Sequence, residues 1–339
     1  MSGFFLQKKK AILARTIVLG LCLGFFSHAR AADLSDFETE EYFKSTGLDI
    51  INASAAYSRG YTGKGVTVGI SDAPVNFTSP EFSTKQHSYQ ADSFYPPYID
   101  ENGTEHHITD SNYWQFMDHG TPVAGIAAAS RNGTGMHGVA YDGELVGSAS
   151  VNSYSMRGGS SRLEWADAFL DDPAIKIVNC SWNAPEHPLE EVEENETIER
   201  YCKRTGLLEN KRVTDILSPL GKNTLFVWTT GNYGYPMPAL GYGLSHWAEG
   251  RAVATNVISV TALEDTKYLT KEEGSIRGLN ILLWFCSGAS FNEDGTLAAP
   301  GENIVSANAD YVRSDEIAIT ASGTSVAAPH VAGAAALVQ

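Results

Sequence analysis

Short blocks of apolar residues, each closed by glycine or a polar residue, recur along this chain and set out its elements. Gly65-Val66-Thr67-Val68-Gly69-Ile70-Ser71-Asp72 reads as a buried strand ending on a carboxylate, since a brief apolar run between turn signals fits a strand covered on both faces. Ahead of it, Leu48, Ile51 and Ala55 share one face of a helix predicted over Leu48–Arg59, and Gly60–Gly65 supplies a turn. Gly143–Val151 and Ile175–Ser181 are further strand candidates. Small-residue helices are predicted at two places: after His119, in Gly120-Thr121-Pro122-Val123-Ala124-Gly125, and after Gly323-Thr324-Ser325, in the run Val326, Ala327, Ala328, Val331, Ala332, Ala334, Ala335. Pro329 fits only a first helical turn, which places the start of that last helix close to Ser325. Together these elements read as an α/β domain.

Chemistry collects at the edges of these blocks. Ser325 follows a turn of little bulk and precedes a helix, whose first N–H groups and positive dipole end favour an oxyanion. A serine hydroxyl needs a base to become a nucleophile at neutral pH, and His119 opens the other small-residue helix. Asp72 stands at the carboxyl end of its strand, which in parallel α/β sheets is where active sites lie.

In these residues the chain resembles the subtilases, the subtilisin-like serine proteases. The strand ending in Asp72, the block from His119, and GTSVAAPHVAG around Ser325 follow the order Asp, His, Ser of that family. Thr229-Thr230-Gly231-Asn232-Tyr233-Gly234 is similar to the family segment whose Asn side chain contributes to the oxyanion hole. Met136-His137-Gly138-Val139-Ala140-Tyr141 and Ala298-Ala299-Pro300-Gly301-Glu302-Asn303-Ile304 fit the segments that link them, and the similarity runs from about Leu48 to the end. The resemblance implies a three-layer fold, a mainly parallel sheet flanked by helices, that acts as a serine endopeptidase on polypeptides with no cofactor. Asp72, His119 and Ser325 would be catalytic, and Asn232 with the Ser325 N–H would form the oxyanion hole. Ser181, Trp182 and Asn183 would bind substrate along an extended edge. Relatives carry a smaller, glycine-containing segment there, so Trp182 and Asn183 leave the pockets open. Many relatives also bind calcium, for which the sequence assigns no ligands.

The first 31 residues change where the protein is expected to act. Lys8, Lys9, Lys10 and Arg15 precede an apolar stretch of 11 residues, Thr16–Phe26, and Ala29-Arg30-Ala31 resembles a cleavage site. These are the parts of a secretory signal peptide, and the stretch is short beside the about 20 residues needed to span a bilayer. Cys22 raises a lipoprotein reading, against which stands the bulky Leu21 before it. Residues 32–47 then form a short N-terminal segment and 48–339 the peptidase domain. The run from about Glu38 to Gly65 looks like exported bacterial subtilases of the autotransporter type, which implies a membrane-linked translocator as a partner beyond this chain. The last helix stops without a cap at Gln339, where relatives continue, so the domain is expected to be C-terminally incomplete.

Composition narrows the partners. A net charge of -16, although the leader carries five basic and no acidic residues, argues against nucleic acid. The length and a hydrophobic content of 43% suit one large core. Outside the leader Cys180, Cys202 and Cys286 leave at least one thiol unpaired, and Cys180 within Ile177-Val178-Asn179-Cys180-Ser181-Trp182 reads as a buried filler. The acidic segment Glu186–Glu199 reads as a solvated loop and helix face, and His106, His107 and Asp110 as a solvated loop rather than a metal site. His330 is expected to be packed rather than catalytic. An α/β-hydrolase esterase is excluded by the order of the three residues and by Ala327 where it would have glycine. An inactive subtilase-like binding module or a nonfunctional fragment remains the alternative, because Ala73-Pro74 replaces the small polar residue and glycine that relatives have after the aspartate and because the C-terminal part is expected to be missing.

Overall fold

A computed structural model describes residues 32–91, 117–149, 172–182, 223–232, 256–263 and 296–339, with short pieces at 98–99, 105–106 and 169. The signal-peptide reading, the acidic segment Glu186–Glu199, Asn183, Cys202, Cys286, His107 and Asp110 lie outside the described residues.

Eleven strands are described. They are β1 (Thr67–Asp72), β2 (Tyr89–Gln90), β3 (Tyr98–Ile99), β4 (Glu105–His106), β5 (Glu144–Ala149), β6 (Ile175–Cys180), β7 (Leu225–Thr229), β8 (Val257–Leu263), β9 (Thr296–Pro300), β10 (Ile304–Ala307) and β11 (Ala318–Ala321). The described α-helices are α1 (Glu40–Lys44), α2 (Ala53–Tyr57), α3 (Gly120–Ala128), α4 (Tyr311–Ser314) and α5 (Thr324–Val338). Seven strands form one sheet in the order β2-β5-β1-β6-β7-β8-β9, with every neighbouring pair parallel. The chain passes from β5 on one side of β1 to β6 on the other, so the order reverses at β1. The crevice beyond the carboxyl ends of strands at such a switch point is where doubly wound sheets place ligands.

The strands are apolar along most of their length because both faces of the sheet are covered. Successive side chains go to opposite cores. Val68, Ile70, Leu145, Ile177, Val227 and Val260 join one cluster with α3 and α5. Val146, Val178, Cys180, Phe226 and Trp228 join a second with Phe169. Cys180 is fully buried, as its strand context predicted, and burial pushes its thiol pKa well up. The apolar α5 packs against α3 and against β6, β7, β8 and β9, bringing the last helix beneath the middle of the sheet.

The N-terminal residues are stitched into the same core. Tyr42, Leu48 and Tyr57 are buried in it, the Tyr57 hydroxyl donates to the Val139 carbonyl at 2.7 Å, and Glu41 accepts the Asn132 and Gly133 amides. The helix predicted over Leu48–Arg59 is shorter than expected. Asn52 takes a left-handed conformation with φ 56°, and the Tyr42 hydroxyl bonds the Leu48 carbonyl, so only Ala53–Tyr57 is helical. His106, expected in a loop, forms a short antiparallel pairing with Tyr98. His330 is packed within α5, its Nδ1 2.9 Å from the Val326 carbonyl.

Candidate active site

Asp72 closes β1 at the switch point and is 2% exposed. Its Oδ1 accepts the Ala73 amide at 2.6 Å, so the Ala73-Pro74 turn leaves the carboxylate held at the strand end. His119 immediately precedes α3. Its Nδ1 lies 2.6 Å from Asp72 Oδ1, and its ring is 33% exposed while the carboxylate is buried. Gly120 makes that approach feasible: a Cβ there would run into the Ala73 carbonyl oxygen. Burial alone would lower the His119 pKa, but the charge of Asp72 and its hydrogen bond outweigh that and raise it above the ordinary 6.5. With Nδ1–H given to Asp72, Nε2 carries the lone pair and is the atom able to take a proton.

Ser325 is the second residue of α5, whose cap Gly323 has φ 136°, a conformation suited to glycine. Its hydroxyl donates to the Ser181 carbonyl at 3.2 Å, and no hydrogen bond joins it to His119 among the described residues. Catalytic hydrogen bonds are commonly loose without substrate. Its carbonyl accepts the Ser181 hydroxyl at 2.8 Å. Pro329 was expected in the first helical turn, yet it sits well inside α5, which starts at Thr324.

Asn232 reaches the same helix start. Its Oδ1 accepts the Thr324 amide at 2.9 Å and the Thr324 hydroxyl at 3.0 Å, while that hydroxyl accepts the Gly231 amide at 3.2 Å. Two donors on Oδ1 fix the amide of this exposed residue and leave Nδ2 as its donor end. Thr324, fully buried, therefore orients Asn232, a role that the sequence reading missed.

Ser181 and Trp182 follow β6. The Trp182 indole Nε1 donates to the Ser71 hydroxyl at 3.1 Å, its carbonyl accepts the Trp228 indole at 2.7 Å, and the two rings meet edge to face at 4.8 Å. Trp182 is thus built into the sheet end beside Asp72, with its carbonyl engaged internally. The sequence reading also passed over Asn179, although a polar side chain inside a buried strand was the signal for it.

Calcium, which the resemblance raised, prefers oxygen ligands. Among the described residues no group of three or more His, Cys, Asp or Glu side chains converges. Glu81 is fully buried, its Oε1 accepts the Met136 amide at 3.3 Å and its Oε2 has no partner, but a single carboxyl does not make a calcium site. Burial, with a smaller contribution from Glu41, pushes its pKa up to about 8.

The subtilase family model matches residues 63–339, which contain the whole of this site. The chain belongs to the subtilase family. It is 28% identical to an extracellular serine protease of Serratia marcescens over 98% of its own length and 34% of that protein. It is also 28% identical to neuroendocrine convertase 2 of Mus musculus over 58% of this chain and 28% of that protein. This subtilase chain thus spans about a third of the length of the curated relatives it matches. Among solved structures it is similar to the prenylagaramide maturation protease PagA, with a TM-score of 0.50 and 18% identity over 84% of this chain and 79% of that one. That likeness supports the α/β fold with its parallel sheet. Among the described residues no helix is long and apolar enough to cross a membrane.

Proposed function

We propose that this chain is an exported serine endopeptidase that cleaves polypeptides through Asp72, His119 and Ser325. The 2.6 Å pairing of His119 with a buried Asp72 at the sheet's switch point is the observation that carries this reading. Ser325 leaves the Ser181 carbonyl and attacks the substrate carbonyl while His119 Nε2 takes its proton. The imidazolium, held by Asp72, then gives that proton to the leaving amine, and a water repeats the sequence on the acyl-enzyme. The Ser325 N–H, one of those that a helix start leaves without an internal partner, and Asn232 Nδ2 hold the oxyanion. Substrate lies along residues 181–183, the extended edge that the family resemblance implies.

These steps use only groups of this chain. Export rests on the basic and apolar leader and on the extracellular relative, and a membrane-linked translocator is the partner proposed beyond this chain. Labelling of the exported full chain with a fluorophosphonate tests the reading: the label maps to Ser325 and is lost in Ser325→Ala and His119→Ala. A folded protein that takes no label favours the inactive binding module, a reading to which the Ser325 hydroxyl bond to Ser181 lends its only geometric support.

A further inference from the structure

The proline inside the nucleophile's helix deprives one carbonyl of its usual partner. In an uninterrupted helix residue 329 would donate to the carbonyl four positions back, that of Ser325. Pro329 has no N–H to give. The Ser325 carbonyl instead accepts the Ser181 hydroxyl at 2.8 Å. That hydroxyl has a single proton, and its oxygen accepts Asn179 Nδ2 at 2.8 Å, so the asparagine directs the proton toward Ser325. Both side chains are buried. Asn179 lies on β6, in register with Ile70 on β1, two residues before the catalytic aspartate. A chain of hydrogen bonds therefore runs from the strand beside Asp72 to the backbone of the nucleophile.

We infer that Asn179 and Ser181 are positioning residues, which set the place of Ser325 through the carbonyl that Pro329 leaves open. Ser181 holds Ser325 from both sides: its hydroxyl fixes the backbone, and its carbonyl receives the resting Ser325 hydroxyl at 3.2 Å. The first contact persists while the second is released for attack. The assignment concerns the Ser181 side chain, separate from main-chain pairing with substrate, and it rests on the peptidase reading above.

The test uses the full chain and begins with fluorophosphonate labelling of the parent beside Ser325→Ala. An unlabelled parent overturns the peptidase reading and this inference with it, before any Ser181 variant is compared. In a labelled parent, kcat and KM on a peptide substrate are measured per titrated site, which corrects for any misfolded fraction. Ser181→Ala is expected to lower kcat about tenfold with KM within about twofold, as the loss of one well-placed hydrogen bond implies. Ser181→Thr, which keeps the hydroxyl, restores turnover. Asn179→Ala has a smaller effect in the same direction. The deciding comparison is made in Pro329→Ala, where residue 329 regains an N–H for the Ser325 carbonyl: there Ser181→Ala costs no more than about twofold, since the two donors serve one acceptor. Equal losses with and without Pro329, or an unchanged kcat per titrated site in Ser181→Ala, overturn the inference. A stability loss alone, with kcat unmoved, assigns Ser181 a structural role only.

Discussion

The two halves of the site are held in different ways. On one side, Asp72 and His119 are already paired at 2.6 Å, with the carboxylate buried and the ring fixed against it. On the other, the backbone of Ser325 is held firmly while its hydroxyl is turned to the Ser181 carbonyl. On the proposed mechanism the base needs its orientation before any substrate arrives, because an imidazole in the wrong tautomer cannot take a proton. The nucleophile needs only a fixed pivot, because a hydroxyl rotates through staggered positions at small cost. Preorganisation is thus concentrated in the acid–base pair and in the helix start.

Removing the pivoting group itself has the largest expected effect. Ser325→Ala should lower turnover by about a millionfold and abolish fluorophosphonate labelling, read by peptide hydrolysis and mass spectrometry. Breaking the preorganised half comes next: Asp72→Asn should cost about 10⁴-fold in kcat. The raised His119 pKa places the ascending limb of kcat/KM against pH above 6.5 in the parent, and loss of the neighbouring charge in Asp72→Asn should move that limb to lower pH. Asn232→Ala sharpens the comparison from the oxyanion side, with a loss of about 100-fold to 1000-fold in kcat and little change in KM.

The smallest effect lies outside the chemistry, at two buried histidines. Burial holds the pKa values of His137 and His330 down to about 4. The unfolded chain binds protons at these groups near pH 6.5 while the folded chain does not, so their contribution is present above 6.5 and is lost as pH falls toward 4. Thermal melts of Ser325→Ala, chosen to avoid self-digestion, should show stability falling through that window, by at most about 3 kcal/mol for each histidine. His330→Asn should flatten the slope.

Much of this was legible in the sequence because the deciding residues sit in compact local patterns. Gly323-Thr324-Ser325 before an alanine-rich run marks a helix start, and an apolar strand ending in Asp72 marks a sheet terminus. What escaped depends on residues far apart in the chain. The Ser181 hydroxyl reaches a carbonyl 144 positions away, and nothing in either local segment announces the bond. Thr324 read as turn filler, because its bond to Asn232 spans 92 positions. Pro329 gave a helix start that was nearly right for an incomplete reason: the Ser181 side chain, just past β6, takes the carbonyl that the ring leaves open, which allows the proline deeper in the helix. Leu48–Arg59 failed as a continuous helix because periodicity does not register a left-handed Asn52 or a tyrosine capping from another segment.

The placement of α5 carries a consequence for timing. Asp72 and His119 occur in the first half of the given chain, but Ser325 arrives on a helix that follows every strand of the seven-stranded sheet and packs against five of them. A chain still emerging from a ribosome or an export channel has Asp72 and His119 with no serine to activate. On the proposed function, the three groups therefore come together only when α5 docks. On that reading, the order of the elements keeps Ser325 apart from His119 until the strands of the sheet have been made.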